Sequence, residues 1–116
     1  MRNKYGAIKT KVDGYTFDSK AEASRYLALV LLQRAGEISE LEVQPPFQLK
    51  CGGKPVLIRS EGYPNGRVAK YVGDFAYVDH AGHRVVEDVK GKDLPLSRLK
   101  RALVEAEYGV VVKVVR

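Results

Sequence analysis

Apolar residues fall in two helical stretches separated by short alternating runs. Between Ser19 and Gly36, the residues Ala21, Ala23, Tyr26, Leu27, Val30, Leu31 and Leu32 cover a wide helical face. Ser19 is placed as an N-cap with Glu22 three residues on, and Gly36 ends the helix after Ala35. A face this broad implies packing against a sheet. Ahead of it, residues 8–16 predict a short strand or hairpin turning at Asp13-Gly14. After it, residues 41–49 predict an edge or kinked strand, because Pro45-Pro46 interrupts the ladder. Residues 56–59 form another short run, followed by a turn at Pro64-Asn65-Gly66. Residues 68–78 and 84–90 predict a hairpin about Asp79-His80-Ala81-Gly82-His83. A second helix is expected over 94–108, with Pro95 tolerated in its first turn and Gly109 ending it. Its buried stripe is expected to be Leu99, Ala102, Leu103 and Ala106. Residues 110–115 are β-branched and predict a final strand. The order is helix, antiparallel strands, helix, strand, which reads as an α/β sandwich around a mixed central sheet flanked by helices.

The length of 116 residues suits one domain with a single core. A composition of 45% apolar and 29% charged residues is that of a globular chain. No apolar run approaches the roughly 18 residues a membrane span needs, and the N-terminus lacks the apolar region of a signal peptide. The single cysteine, Cys51, rules out an internal disulfide and fits a reducing cytoplasm. The net charge is +6, and it is unevenly spread. Arg2, Lys4, Lys9 and Lys11 stand near the start without an acid among them, and Lys90, Lys92, Arg98, Lys100 and Arg101 face Asp93 alone. Clustered basic charge is the electrostatic footprint of a phosphate-backbone binder; a merely solvated surface is the plainer reading of either cluster.

Between the basic stretches lie Asp74 on one apolar run and Asp88-Val89-Lys90 on the next, with Glu22 near the start of the first helix. Alternation puts Asp88 and Lys90 on one face with Val86, and Val85, Glu87 and Val89 on the other. Asp74 shares a face with Val72 and Ala76. If the two strands pair, Asp74 and Asp88 converge at one end of the sheet with Lys90 close to both. Carboxylates crowded there are costly to desolvate. A Mg²⁺ site acting on phosphodiesters explains them, since hard cations prefer carboxylate oxygens. Each residue also has a plainer reading. Ser19-x-x-Glu22 is a capping box, Asp74 an exposed strand residue, and Asp88–Lys90 an ion pair worth under ~1 kcal/mol.

The pattern D…(D/E)-x-K formed by Asp74, Asp88 and Lys90, with Glu22 on the preceding helix, resembles the PD-(D/E)XK nuclease superfamily. The closer resemblance is to a family of small phage-encoded proteins within it. It is carried by Lys4-Tyr5-Gly6, Phe17-Asp18-Ser19-Lys20-Ala21-Glu22-Ala23, Leu41-Glu42-Val43-Gln44-Pro45, Gly73-Asp74-Phe75 and Val85-Val86-Glu87-Asp88-Val89-Lys90-Gly91. The resemblance implies a restriction-endonuclease-like αβββαβ core and metal-dependent endonuclease chemistry on DNA. It implies that Asp74 and Asp88 ligate Mg²⁺ or Mn²⁺ with the backbone carbonyl of Val89. Lys90 then positions the attacking water or stabilises the transition state, Glu22 reaches the metal directly or through a water, and Gln44 adds a supporting polar contact. DNA contacts are expected from Lys4, Lys9, Lys11, Lys20, Lys92, Arg98, Lys100 and Arg101. Two departures stand out: Gly73 replaces the usual proline before Asp74, and the second acid is Asp88, with Glu87 beside it. A bulge would turn Glu87 to the metal instead.

Branched recombination intermediates are a substrate by analogy with other small nucleases of this superfamily. Resolving a junction takes two active sites and hence a homodimer. The rival readings are a non-catalytic nucleic-acid-binding module and a phage structural or assembly protein that keeps the fold without the chemistry. Other motifs point nowhere further. His80 and His83 read as turn residues, Cys51-Gly52-Gly53-Lys54 lacks a phosphate-loop pattern, and Tyr63, Tyr71 and Tyr77 either stack on bases or pack in the core.

Overall fold

The computed structural model describes residues 9–116. Arg2, Lys4, the Lys4-Tyr5-Gly6 string and the residue-8 end of the expected hairpin lie outside the described residues. The chain begins with a small hairpin, β1 (Thr10–Val12) and β2 (Tyr15–Phe17), turning at Asp13-Gly14 as expected. Helix α1 (Lys20–Arg34) starts where Ser19 Oγ accepts from the Glu22 amide at 3.2 Å. Gly36, at φ +80°, turns the chain out of it in the left-handed conformation that glycine adopts readily.

The described residues form twelve strands, and four of them make the central sheet. These are β3 (Ser39–Val43), β10 (Phe75–Val78), β11 (Arg84–Val89) and β12 (Val111–Val115), in the spatial order β12-β11-β10-β3. β10 runs antiparallel to both β3 and β11, while β12 runs parallel to β11, so the sheet is mixed. A parallel neighbour requires a crossover, and helix α2 (Pro95–Tyr108) provides it between β11 and β12. Short antiparallel pairs accompany the sheet. β4 (Pro46–Gln48) pairs with β9 (Lys70–Val72), β5 (Lys50–Cys51) with β6 (Lys54–Pro55), and β7 (Leu57–Ser60) with β8 (Tyr63–Val68).

Alternation along β10 and β11 sends side chains into two cores. Phe75, Tyr77 and Val85 meet Phe17, Ala23, Tyr26 and Leu29 under α1 and the first hairpin. Ala76 and Val86 meet Phe47, Tyr71, Val104 and Val110 under α2 and the β4–β9 pair. The two helices therefore cover opposite faces of the sheet. No helix among the described residues is long and apolar enough to cross a membrane.

On α1, Leu27, Leu31 and Leu32 of the expected apolar face are exposed, and Leu29 joins Ala23 and Tyr26 in the core. Three further expectations are corrected. Pro64-Asn65-Gly66 is not a turn but part of β8; the hairpin turns at Glu61-Gly62, where Ser60 faces Tyr63. The extra residues are absorbed as a register shift opposite Ile58–Ser60, with Gly66 at φ +89°, so the proline–glycine signal marks a bulge. Residues 68–78 are not one strand but pieces of three, broken at Ala69 and again at Gly73-Asp74. The third correction concerns α2. Leu99 is 57% exposed and Leu103 38%, with Ala102 and Ala106 also exposed, while Arg101 and Val104 are buried. Arg101 can turn inward because Asp93 accepts from both of its terminal guanidinium nitrogens at 2.8 Å. That pairing offsets the desolvation that apolar patterning alone treats as prohibitive. Accordingly, Val104→Ala is expected to destabilise the protein by about 1–3 kcal/mol and Leu99→Gln by less than about 0.5 kcal/mol; urea denaturation reads both.

Candidate functional site

Two long chain segments bend at the same level of the sheet. β3 gives way to β4 at Gln44-Pro45, and β9 gives way to β10 at Gly73-Asp74. The breaks are stitched together: Gln44 N donates to Asp74 O at 2.9 Å, and Gly73 N to Pro45 O at 3.0 Å. Asp74 N donates to Glu87 O at 2.9 Å, which ties the bend to β11. Gln44 takes φ +54°, a left-handed conformation that lets β3 swing into β4. Gly73 is also explained. A Cβ there would sit 2.7 Å from Val86 Cγ1, and a proline would lose the bond to Pro45. The glycine before Asp74 is a packing requirement.

The bend aims Asp74 at the end of β11. Its Oδ2 accepts from Val89 N at 2.6 Å. Asp88, 5% exposed, lies on the α2 face with Val86 as the alternation predicts. Its Oδ2 accepts from the Tyr71 hydroxyl at 2.7 Å, and its Oδ1 is 3.4 Å from Lys90 Nζ. From the start of α1, Glu22 Oε2 accepts from the Asp18 amide at 2.9 Å. The cap thus reaches back to Asp18 rather than Ser19, and Glu22 still borders the same cleft. That cleft, of about 310 Å³, is bounded by Glu22, Asp74, Asp88, Val89, Lys90, Lys70 and Lys100 among others.

The carboxylates feel one another. Burial, reinforced by the charges of Glu22 and Asp88, pushes the Asp74 carboxyl up to about 7, against the pull of the Val89 amide. Burial also raises Glu22, with the nearby Asp18 and Asp88 charges adding to it. Burial and its bond to Asp88 raise the Tyr71 hydroxyl, so it stays a donor. Because the folded pKa of Asp74 lies above its ordinary value, its ionisation opposes folding as pH rises from about 4 through about 7. Asp74→Asn removes that charge and keeps an oxygen for Val89 N. It is expected to stabilise the cation-free protein at pH 8 and to leave stability at pH 4 nearly unchanged. Thermal melts across pH check this.

The oxygen donors suit a hard divalent cation, whose charge would offset the crowding that raises Asp74. As they stand, the described residues contain no group of three or more His, Cys, Asp or Glu side chains closed around a single metal position. The acids border a common cleft, with Glu22 held at its edge by Asp18.

The remaining expected residues divide clearly. Gln44 does not border the cleft; its side chain donates to Thr16 O at 3.1 Å, so its support is to the bend that carries Asp74. Glu87 faces away. Arg25 grips it through two bonds of 2.7 Å, Tyr77 donates to it, and it is 1% exposed beneath α1. Burial alone would raise Glu87, but the bonds from Arg25 and Tyr77 outweigh it and hold the carboxyl below its usual range. Tyr71 and Tyr77 are buried and hydrogen-bonded to Asp88 and Glu87, so neither is available to stack on a base. Lys9, Lys11, Lys20 and Lys92 are exposed away from the cleft lining. Arg98 is exposed and leans on Asp93, and Arg101 is committed to the same acid. Lys100 borders the cleft. Sequence reasoning passed over Lys70, which the β9 strand delivers to the cleft. His80 and His83 lie in the β10–β11 turn, where Asp79 Oδ1 accepts from the amides of Ala81 and His83.

Fold and site together define a mixed α/β protein with helices on both faces of a mixed sheet and an acid-and-lysine cleft where that sheet breaks. The model of the family described as "Protein of unknown function (DUF1064)" matches residues 2–115, and the chain belongs to that family. Searches of curated proteins and of solved structures found no match.

Proposed function

We propose that the protein is a metal-dependent endodeoxyribonuclease of the PD-(D/E)XK kind, with a restriction-endonuclease-like core. The observation that carries this reading is the meeting of Asp74, Asp88, Lys90 and Glu22 in one cleft, from three separate elements. Asp74, Asp88 and the Val89 carbonyl would hold Mg²⁺ or Mn²⁺, with Glu22 completing the set once it releases Asp18. The bound ion would supply Lewis-acid activation of the scissile phosphate and of the attacking water. Lys90 Nζ, beside Asp88, orients that water and balances the negative charge that grows on the phosphate. The water adds to phosphorus as the bond to the 3′ oxygen breaks, leaving a 5′-phosphate and a 3′-hydroxyl. Tyr71 holds Asp88 in place by donating to its second oxygen. Lys70 and Lys100 flank the cleft and meet the phosphates on either side of the cut.

A second reading has support of its own. Glu22 is engaged by Asp18 and the acids are not closed around one point, as in a nucleic-acid-binding module that has kept the fold without the chemistry. Cleavage assays separate the two. Supercoiled plasmid, linear duplex and a four-way junction are incubated with Mg²⁺ or Mn²⁺, and cutting is expected only with the cation. Binding without cutting, at any divalent-ion concentration, selects the module; cutting of the junction by a dimer would select the resolvase form of the nuclease.

A further inference from the structure

Among the described residues, the β7–β8 hairpin pairs with no other strand, and every residue of β7 is exposed. An isolated two-stranded hairpin is marginal in water, yet this one presents Ile58 at 42% and Tyr63 at 51% exposure. It encloses a groove of about 630 Å³ against the body of the protein, bordered by Ile58, Tyr63, Arg67, Lys70 and Lys100. Lys70 and Lys100 also border the acidic cleft, so the two spaces adjoin across these lysines. The charge is one-sided: Lys50, Lys54, Arg59, Arg67 and Lys70 are accompanied between residues 50 and 70 by Glu61 alone. The Arg67 guanidinium lies 5.4 Å from the centre of the Tyr63 ring, and both residues border the groove.

We infer that this groove receives an unpaired DNA strand running on from the phosphate held in the acidic cleft. The proposal rests on the nuclease reading for its direction and names the substrate class: DNA with a single-stranded tail or branch beside the cut. A duplex presents phosphates and hides its base faces, which would leave Tyr63 and Ile58 facing water. An unpaired strand presents both surfaces. Its phosphates meet Arg67, Lys70 and Lys100, while a base stacks on Tyr63 and lies against Ile58. The alternation of cation and apolar surface in one groove matches that chemistry and no purely phosphate-reading surface needs it.

The test uses the full chain with no divalent cation, so binding is read apart from cleavage. Fluorescence anisotropy compares a labelled oligothymidylate with a blunt duplex of equal length at fixed salt, for wild type, Tyr63→Ala, Tyr63→Phe and Arg67→Ala. The single strand is expected to bind more tightly. Tyr63→Ala and Arg67→Ala are expected to weaken it by roughly tenfold with little change for duplex, and Tyr63→Phe to bind like wild type. Equal losses on both ligands, or no loss in Tyr63→Ala, would overturn the proposal. A parallel cleavage assay on duplex and on a flapped duplex separates the two readings. Tyr63-dependent strand binding without cutting leaves the groove and removes the nuclease. Cutting of both substrates at equal rates, unaffected by Tyr63→Ala, leaves the nuclease and removes the groove.

Discussion

Lys90→Ala is expected to keep divalent-cation binding and to lose roughly a hundredfold to a thousandfold in DNA cleavage, whereas Asp88→Asn is expected to lose both. The split follows from where the two side chains sit. Asp88 offers a carboxylate oxygen to the cleft while Tyr71 fixes the other, so an amide in its place removes the anionic donor and keeps the Tyr71 bond. Lys90 contributes no oxygen. Its ammonium stands 3.4 Å from Asp88, and under the proposed mechanism it would act on charge that develops only during the reaction. Removing one such positioned donor is worth about 3–4 kcal/mol of barrier. Isothermal titration with Mn²⁺, paired with plasmid cleavage, reads the two quantities separately. Cleavage by Lys90→Ala at the wild-type rate would remove the lysine from the mechanism, and cleavage by both variants would move the chemistry out of this cleft.

The largest effect on stability is expected on the opposite face of the sheet. Arg25→Ala should destabilise the fold by about 2–3 kcal/mol and leave cation affinity unchanged in the molecules that remain folded. Glu87 is 1% exposed, and Arg25 supplies the charge that makes its burial tolerable. Truncating Arg25 leaves a buried carboxylate with the Tyr77 hydroxyl as its remaining side-chain hydrogen-bond donor and Lys113 as a more weakly felt charge. Arg25 is about a third open to solvent, which tempers the loss. Glu87→Gln keeps hydrogen-bonding atoms for both partners and should cost less. A urea titration of the three proteins gives the order directly. Loss of cation binding in Glu87→Gln would mean that Glu87, not Asp88, faces the metal.

Much of the fold was legible because local chemistry and tertiary packing agree there. Ser19 and Gly36 bound α1, Asp79–His83 turn β10 into β11, and Gly109 ends α2 in a left-handed conformation. Each signal depends on atoms within a few residues. Alternation likewise put Asp88 and Val86 on one face and Glu87 on the other, as the buried partners show. The expectations that failed required long-range information. The outward Leu99 and inward Arg101 depend on Asp93, eight residues away along the chain from Arg101. The bulge at Pro64-Asn65-Gly66 depends on how β8 meets β7.

The site was visible in the sequence as residue types and order, and not as geometry. Glu22, Asp74, Asp88 and Lys90 could be singled out because acids and a lysine on apolar strands need a reason to be there. Their convergence was decided by the two facing breaks at Gln44-Pro45 and Gly73-Asp74, which pairwise backbone bonds hold together. Lys70, and the groove it shares with Tyr63 and Arg67, were assembled from residues that sequence spacing does not relate. By itself, the sequence determined the helices, the alternation of the strands and the chemical inventory, since these rest on short-range sterics and burial periodicity. The tertiary structure alone decided where the acids converge, which face of α2 turns inward and which cations surround the acids. Those outcomes depend on contacts between distant segments, where a buried charge is tolerated only when another element brings its partner.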